Sequence, residues 1–306
     1  MSRAVVIMSG GDAATPFTTP AAGCRTGLAA GNTDTALREY LLGEGHQVYT
    51  APAQNGRGVV TDPDPESFGA FGGQPEVLAE QYTVNSDGDI DLAGEQLARF
   101  VGLLHSRYGV TEVDFVGHSN GGLFARAAIR TMQLLEIPVR TRSLATLGTP
   151  WMGTFPLWWA FGEIPDAALM GQEFATRFAQ GFKDRVGEGD LGLAQENTYH
   201  YLVGPGRWNE HAIGVLDDIP VHMIGGTWFE ADEGDPELWP NDGLVSRFSA
   251  LAQGLPPEVA PRRSSASFHV THSIFVADLI GQPWQTGMTW NPDVLASVAE
   301  FLAAQH

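Results

Sequence analysis

Ser119 stands in the run Gly117-His118-Ser119-Asn120-Gly121-Gly122. A serine hydroxyl is a weak nucleophile alone. It needs a base to take its proton, and the base needs an acid to hold it in the right orientation. Both types occur downstream. Asp242 lies in Pro240-Asn241-Asp242-Gly243-Leu244-Val245-Ser246, and His272 in Phe268-His269-Val270-Thr271-His272-Ser273. The chain order Ser, Asp, His is one in which this chemistry recurs, so the three residues point to attack on an acyl carbon through a covalent intermediate.

The positions of these residues follow from the elements around them. Glu112–Gly117 reads as a buried strand, and Gly121–Leu135 reads as a helix. A serine between the two would sit in a tight strand-to-helix turn, with its hydroxyl lifted above the sheet. Glycine on either side allows strand and helix to approach closely. The Asn120 N–H, at the start of the helix, would point at a developing oxyanion. A second donor is expected from the turn after the first strand, Ser9-Gly10-Gly11-Asp12, where Gly11 is favoured and Gly10 and Asp12 remain open. The plain alternative is an ordinary turn with an exposed serine, because Gly-x-Ser-x-Gly arises by chance.

For the base, His272 falls just after the last predicted strand, at the same end of the sheet as Ser119. His269 falls inside that strand pattern and reads as a packed or edge histidine. His118 is too close to Ser119 to serve as its base and is expected to support the turn. His200, His211 and His222 read as surface or core residues. For the acid, Asp242 precedes Gly243 in a loop, where its carboxylate could turn toward the imidazole. Asp232, Glu233 and Asp235 form an upstream acidic run with the character of a solvated face.

The pattern along the chain is consistent with that placement. Strands are predicted at Ala4–Met8, Gln47–Ala51, Glu112–Gly117, Ser143–Leu147, Pro220–Ile224 and Ser265–Val270. Helices are predicted at Thr35–Leu42, from a cap at Asp91 through Tyr108, at Gly121–Leu135, and at Asn291–Ala304 with Pro292 in its first turn. Pro52 to Asp89, rich in Gly, Pro and Asp, reads as a long surface loop. Strand and helix alternate throughout, which implies an α/β fold: a mostly parallel sheet with helices on both faces. The 306 residues suit a single domain, 1–306.

Residues 151–217 break the alternation. The stretch is too long for one crossover and reads as an inserted cap or lid. It opens with five large rings: Trp151, Phe155, Trp158, Trp159 and Phe161. Exposing all of them to water would create a patch that soluble monomers rarely show. They form either a small satellite core or an acyl-pocket wall above Ser119. The second reading makes Trp151, Trp158 and Trp159 substrate-binding residues and predicts a preference for acyl chains longer than acetyl.

Composition excludes several classes. Acidic residues number 36 against 17 basic, a formal charge of −19. A general nucleic-acid binder and electrostatic docking to an anionic membrane are both disfavoured. The single cysteine, Cys24, cannot form an intramolecular disulfide. No apolar run approaches the roughly 20 residues of a membrane span, and Ala4–Met8 is too short for a signal-peptide core, so the sequence reads as soluble with its compartment open. No His, Cys, Asp or Glu cluster has metal-ligand spacing. Asp87-Gly88-Asp89-Ile90-Asp91 lacks the glycine and terminal glutamate of a calcium loop. Neither metal nor cofactor is expected.

Three segments, FVGHSNGGLFAR, LATLGTPWMGT and NDGLVSR, together resemble the bacterial lipases and serine esterases of the α/β-hydrolase superfamily. The resemblance runs from Ala4 to about His272. It implies an α/β-hydrolase fold with a mobile lid, Ser119, Asp242 and His272 as the triad, Gly11 and Asn120 as oxyanion donors, and medium-chain or long-chain acyl esters as substrates. The chain departs from that pattern twice. The family places His-Gly before its first oxyanion donor, whereas this chain has Ser9-Gly10. Close relatives hold calcium through an Asp just before the catalytic His, whereas Ser265–Val270 carries no carboxylate.

The leading expectation is therefore a carboxylic-ester hydrolase acting on a small-molecule or lipid ester, with transient contact at a lipid interface. Acyl transfer or thioester cleavage by the same residues, and a non-catalytic binding protein on the same fold, are the competing functions.

Overall fold

The computed structural model describes residues 2–20, 23–24, 33–60, 71–72, 76–188 and 192–305. Six strands form one sheet: β1 (Ser2–Met8), β2 (Val48–Thr50), β3 (Val110–His118), β4 (Arg140–Leu147), β5 (Val221–Gly226) and β6 (Arg263–Phe268). Their order is β6-β5-β4-β3-β1-β2, and every pairing is parallel.

A parallel strand buries both faces, and β1 shows how. Ala4, Val6 and Met8 join one apolar cluster, and Val5 and Ile7 join the other. The first cluster is covered by α2 (Ile90–Tyr108) and α3 (Gly121–Leu134). The second is covered by α1 (Thr35–Gly43) and α7 (Pro292–Ala303). The sequence's two-faced parallel sheet is thus the observed one. Strand β6 is a polar edge, Arg-Ser-Ser-Ala-Ser-Phe, with its serines largely in water.

The topology fixes where a site can form. From β1 the chain moves outward to β2, returns to β3 beside β1, and then proceeds to β4, β5 and β6 on the other side. The order reverses between β1 and β3, so the connections leaving their carboxyl ends diverge and leave a crevice there. Met8 pairs with Gly117, and His118 pairs with Leu147. The turns at 9–12, 118–121 and 148–150 therefore emerge at one edge.

Two local expectations are corrected. The cap of α2 is Asp89, whose side chain accepts from the Leu92 N–H at 2.8 Å. Asp91 instead accepts from Trp208 Nε1 at 3.0 Å and pairs with Arg130 at 3.0 Å. The stretch 52–89 is more than a surface loop: Ala53–Gln54 pairs with Val84–Asn85, and Leu78 and Val84 are buried. Residues 61–70 and 73–75 of it lie outside the described residues.

Between β4 and β5, residues 151–217 carry α4 (Phe155–Ala160), α5 (Glu173–Gly187) and several short turns of helix. A short helix, α6 (Ile274–Leu279), follows β6.

Candidate active site

Ser119 lies in the turn between β3 and α3 with φ +55°, in the left-handed region that costs a non-glycine residue on the order of 1–3 kcal/mol. Surrounding bonds hold it there. Its N–H donates to the Leu147 carbonyl at 2.8 Å, and its own carbonyl accepts from the Gly122 N–H at 3.1 Å and from Thr149 Oγ1 at 2.8 Å. The turn packs hard against β1: a Cβ on Gly121 would lie 2.1 Å from the Met8 carbonyl oxygen, so only glycine fits.

Asp242 and His272 meet by side chain and by backbone. His272 Nδ1 is 2.8 Å from Asp242 Oδ2, and the His272 N–H donates to the Asp242 carbonyl at 2.8 Å. Asp242 is fully buried, and its other oxygen, Oδ1, accepts from the N–H groups of Leu244 at 2.9 Å and Val245 at 2.7 Å. The carboxylate is thus locked, where the sequence suggested one free to turn. With Oδ1 occupied, Oδ2 faces the ring, which fixes the Nδ1–H tautomer and leaves Nε2 as the basic nitrogen.

Gly148 is a requirement that the sequence reading did not anticipate. It ends β4 with φ +57°, and a Cβ there would lie 3.0 Å from both Asp242 Oδ2 and His272 Nδ1. The run Gly148-Thr149-Pro150 was legible as a strand end, whereas its place beneath the Asp–His pair needed the fold.

His118 is buried beside this pair, with its ring centroid 4.9 Å from that of His272. Its Nε2–H donates to the His272 carbonyl at 2.8 Å. Burial, with His272 nearby as a smaller contribution, pushes its pKa down to about 3, so it stays neutral and supports the backbone of His272.

Ser119 and His272 share one cavity of about 340 Å³ with Gly11. Its apolar wall comes from Phe178 and Phe182 of α5, Leu244, and Phe275, Val276 and Leu279 of α6. Gly11 and Asn120 together border a second space of about 60 Å³ that shares Gly11, Asp12 and Phe182 with the first.

The tryptophans expected as a substrate wall lie away from the first cavity. Trp151, Trp158 and Trp159 are 0%, 3% and 7% exposed and pack into the main apolar core. Among the described residues none of the three lines the cavity with Ser119 and His272, and Trp158 borders a different one with Glu163 and Tyr199. Trp151, just past the strand end, donates back to Thr146 of β4 at 3.2 Å, whereas Trp158 meets Tyr199 at 5.5 Å and Trp159 donates to Asp166 at 2.7 Å within the segment. Arg126 of α3, buried with them, stacks on Trp151 at 5.0 Å and Trp208 at 4.9 Å. The cavity instead takes rings four residues apart on α5, a spacing that puts Phe174, Phe178 and Phe182 on one helix face. Phe174 stacks on Phe229 at 4.7 Å and anchors that row.

The alternatives separate cleanly. His269 is exposed and stacks on Trp228 at 4.7 Å. Asp232, Glu233 and Asp235 are exposed. Among the described residues, no three His, Cys, Asp or Glu side chains converge as a metal site, and no helix is long and apolar enough to cross a membrane.

Residues 76–157 match the family described as "Putative serine esterase (DUF676)". That stretch contains Ser119 and Gly148 and ends before Asp242 and His272. No curated protein matches the chain in sequence. Among solved structures, the propeptide form of the Bacillus licheniformis lipase BlEst2 is 12% identical, with a TM-score of 0.54 over 97% of this chain and 50% of that one. This chain therefore spans about half the length of that structure. The lin2722 gene product of Listeria innocua is 17% identical, with a TM-score of 0.50 over 99% of this chain and 95% of that one. At these identities the likeness is one of fold, and the fold is that of the α/β-hydrolases.

Proposed function

We propose that this chain is a serine carboxylic-ester hydrolase with Ser119 as nucleophile, His272 as base and Asp242 as the acid that orients it. The observation that carries this reading is the 2.8 Å contact of His272 Nδ1 with a fully buried Asp242, on the wall of the cavity that holds Ser119. The match of residues 76–157 to a serine esterase family supports it independently.

Ser119 Oγ bonds to the acyl carbon as its proton passes to His272 Nε2. The carbonyl oxygen becomes an oxyanion facing the N–H groups of Gly11 and Asn120. The intermediate collapses, the acyl–oxygen bond to the alcohol breaks, and His272 returns the proton to the departing alcohol. Water then attacks the acyl-enzyme with His272 again as base, releasing the acid and regenerating Ser119.

Residues 151–217 act as a cap in this reading, with α5 as the cavity roof. The acyl chain lies against Phe178 and Phe182, where each buried methylene contributes about 0.8 kcal/mol. Phe275 and Leu279 are 43% and 66% exposed at the mouth, so a lipid surface would be met by apolar contact and not by charge, given a net charge of −19. A chain-length series of p-nitrophenyl esters, run with wild type and Ser119→Ala, tests the reading. Turnover rising beyond acetate and lost in the variant supports it, and turnover that survives in the variant overturns it.

A further inference from the structure

Ser9, at the start of the turn that carries Gly10 and Gly11, has a buried partner elsewhere in the fold. Ser9 closes β1, is 1% exposed, and borders the cavity with Ser119 and His272. Its hydroxyl donates to Asp34 Oδ2 and lies 3.1 Å from Thr15 Oγ1. Asp34 is the residue before α1, where an aspartate ordinarily caps the helix by accepting a backbone N–H. Here its side chain makes no capping bond. It turns inward, is 2% exposed, and among the described residues its Oδ1 is buried without a hydrogen-bond donor. Burial raises this carboxyl to about 6, against the opposing pull of the Ser9 hydrogen bond. A carboxyl that forgoes capping and water to hold one hydroxyl is costly, and helix formation does not repay that cost.

The hydroxyl it holds stands directly before Gly10 and Gly11. A Cβ on Gly10 would lie 2.5 Å from Ser119 Cβ, so the turn and the serine touch. A small rotation of the Ser9 backbone would therefore swing the Gly11 N–H relative to the acyl oxygen. We infer that Asp34, acting through Ser9, is a positioning residue that sets the oxyanion turn. The inference rests on the ester-hydrolase reading above. An acceptor at Asp34 is what the turn requires, so a neutral carboxamide of the same shape should serve nearly as well.

The test measures kcat and KM on one p-nitrophenyl hexanoate series for wild type, Ser9→Ala, Asp34→Ala, Asp34→Asn and the Ser9→Ala/Asp34→Ala double variant, with Tm followed for each. Removing one oxyanion donor outright costs about 100-fold to 1000-fold in kcat, so misplacing it should cost about tenfold or more. Asp34→Ala and Ser9→Ala should show that loss in kcat with KM within about twofold, and the double variant should be no worse than the poorer single one. Asp34→Asn should recover most of kcat. Should Asp34→Ala fail to fold, Ser9→Ala carries the same expectation with only one atom removed. Variants with lower Tm but wild-type kcat would overturn the inference and make the pair purely structural. Failure of the ester-hydrolase reading looks different: wild type would not turn the ester over, or Ser119→Ala would retain its turnover, and the inference would fall with it.

Discussion

The sheet-borne residues and the segment 151–217 meet the same cavity but are held differently. Asp242 is fixed by two backbone N–H groups and the His272 ring, and Ser119 by backbone bonds to β4 and α3. Every one of those bonds lies in the turns and loops that leave the carboxyl edge of the sheet. The roof helix α5 buries Ala175 and Ala179 in the main core, stacks Phe174 on Phe229, and adds exposed pairs such as Arg185 with Asp12 at 3.0 Å. The first arrangement holds polar groups by directional hydrogen bonds, and the second meets the cavity through the apolar rings of Phe178 and Phe182. On the proposed ester-hydrolase reading, that difference would give the reaction to the sheet edge and the choice of substrate to the segment.

The sharpest break in that division comes from the sheet side. Ser119→Ala and His272→Ala should each lower kcat by about three to six orders of magnitude, and the double variant should lose little more, because the residues act as a unit. Additive losses would mean that they do not share a mechanism. His269→Ala should leave kcat unchanged.

The next test contrasts two aromatic sets within the segment. Trp158→Ala with Trp159→Ala removes buried rings and should cost about 3–5 kcal/mol per ring in thermal or denaturant unfolding, with the chain-length profile unaltered. Phe178→Ala with Phe182→Ala should cost less stability but lower kcat/KM about tenfold on octanoate relative to acetate. An exchange of those two outcomes would return the tryptophans to the substrate wall.

Smaller effects follow from charge. His118 titrates at about 3 when folded, against an ordinary value of 6.5. The unfolded chain thus binds a proton that the folded one does not between those values. Its stabilising contribution is full above pH 6.5 and falls by about 1.4 kcal/mol per unit as pH drops toward 3. Asp34 works in the opposite sense: its raised value, about 6 against 3.8, favours the folded state below pH 3.8 and loses that contribution as pH rises through 6. Between pH 3.8 and 6 the two contributions oppose each other, so His118→Gln should make stability fall with rising pH there relative to wild type, and Asp34→Asn should make it rise. The smallest change is expected at Arg185→Ala. Its half-exposed pair with Asp12 contributes about 0–1 kcal/mol, and the loss should shrink in high salt.

The sequence reading succeeded where one local pattern decides the outcome. All six sheet strands were legible because parallel strands covered on both faces read as short apolar runs, and even the polar edge strand kept its position in the alternation. The elbow was legible because strand, glycines and helix are contiguous. Chain order singles out Asp242 and His272, and the contact the structure shows between them depends on Leu244, Val245 and Gly148, which chain order does not reveal. What stayed hidden depends on long-range packing. The crowd of rings at 151–161 masks the four-residue spacing of Phe174, Phe178 and Phe182, of which the last two line the cavity. The cap of α2 slipped by two residues because Asp89 and Asp91 are equally plausible caps until Trp208 and Arg130 engage Asp91. Nothing local joins Ser9 to Asp34, since 25 residues separate them.

The central claim is that Ser119 forms the acyl-enzyme. Incubation with a p-nitrophenyl alkylphosphonate, followed by peptide mass spectrometry and an assay of residual ester turnover, tests it directly. One phosphonyl group per chain is expected on Ser119, with loss of turnover in proportion to labelling and no label in Ser119→Ala or His272→Ala. Labelling at another residue, or full turnover by a chain labelled at Ser119, would contradict it.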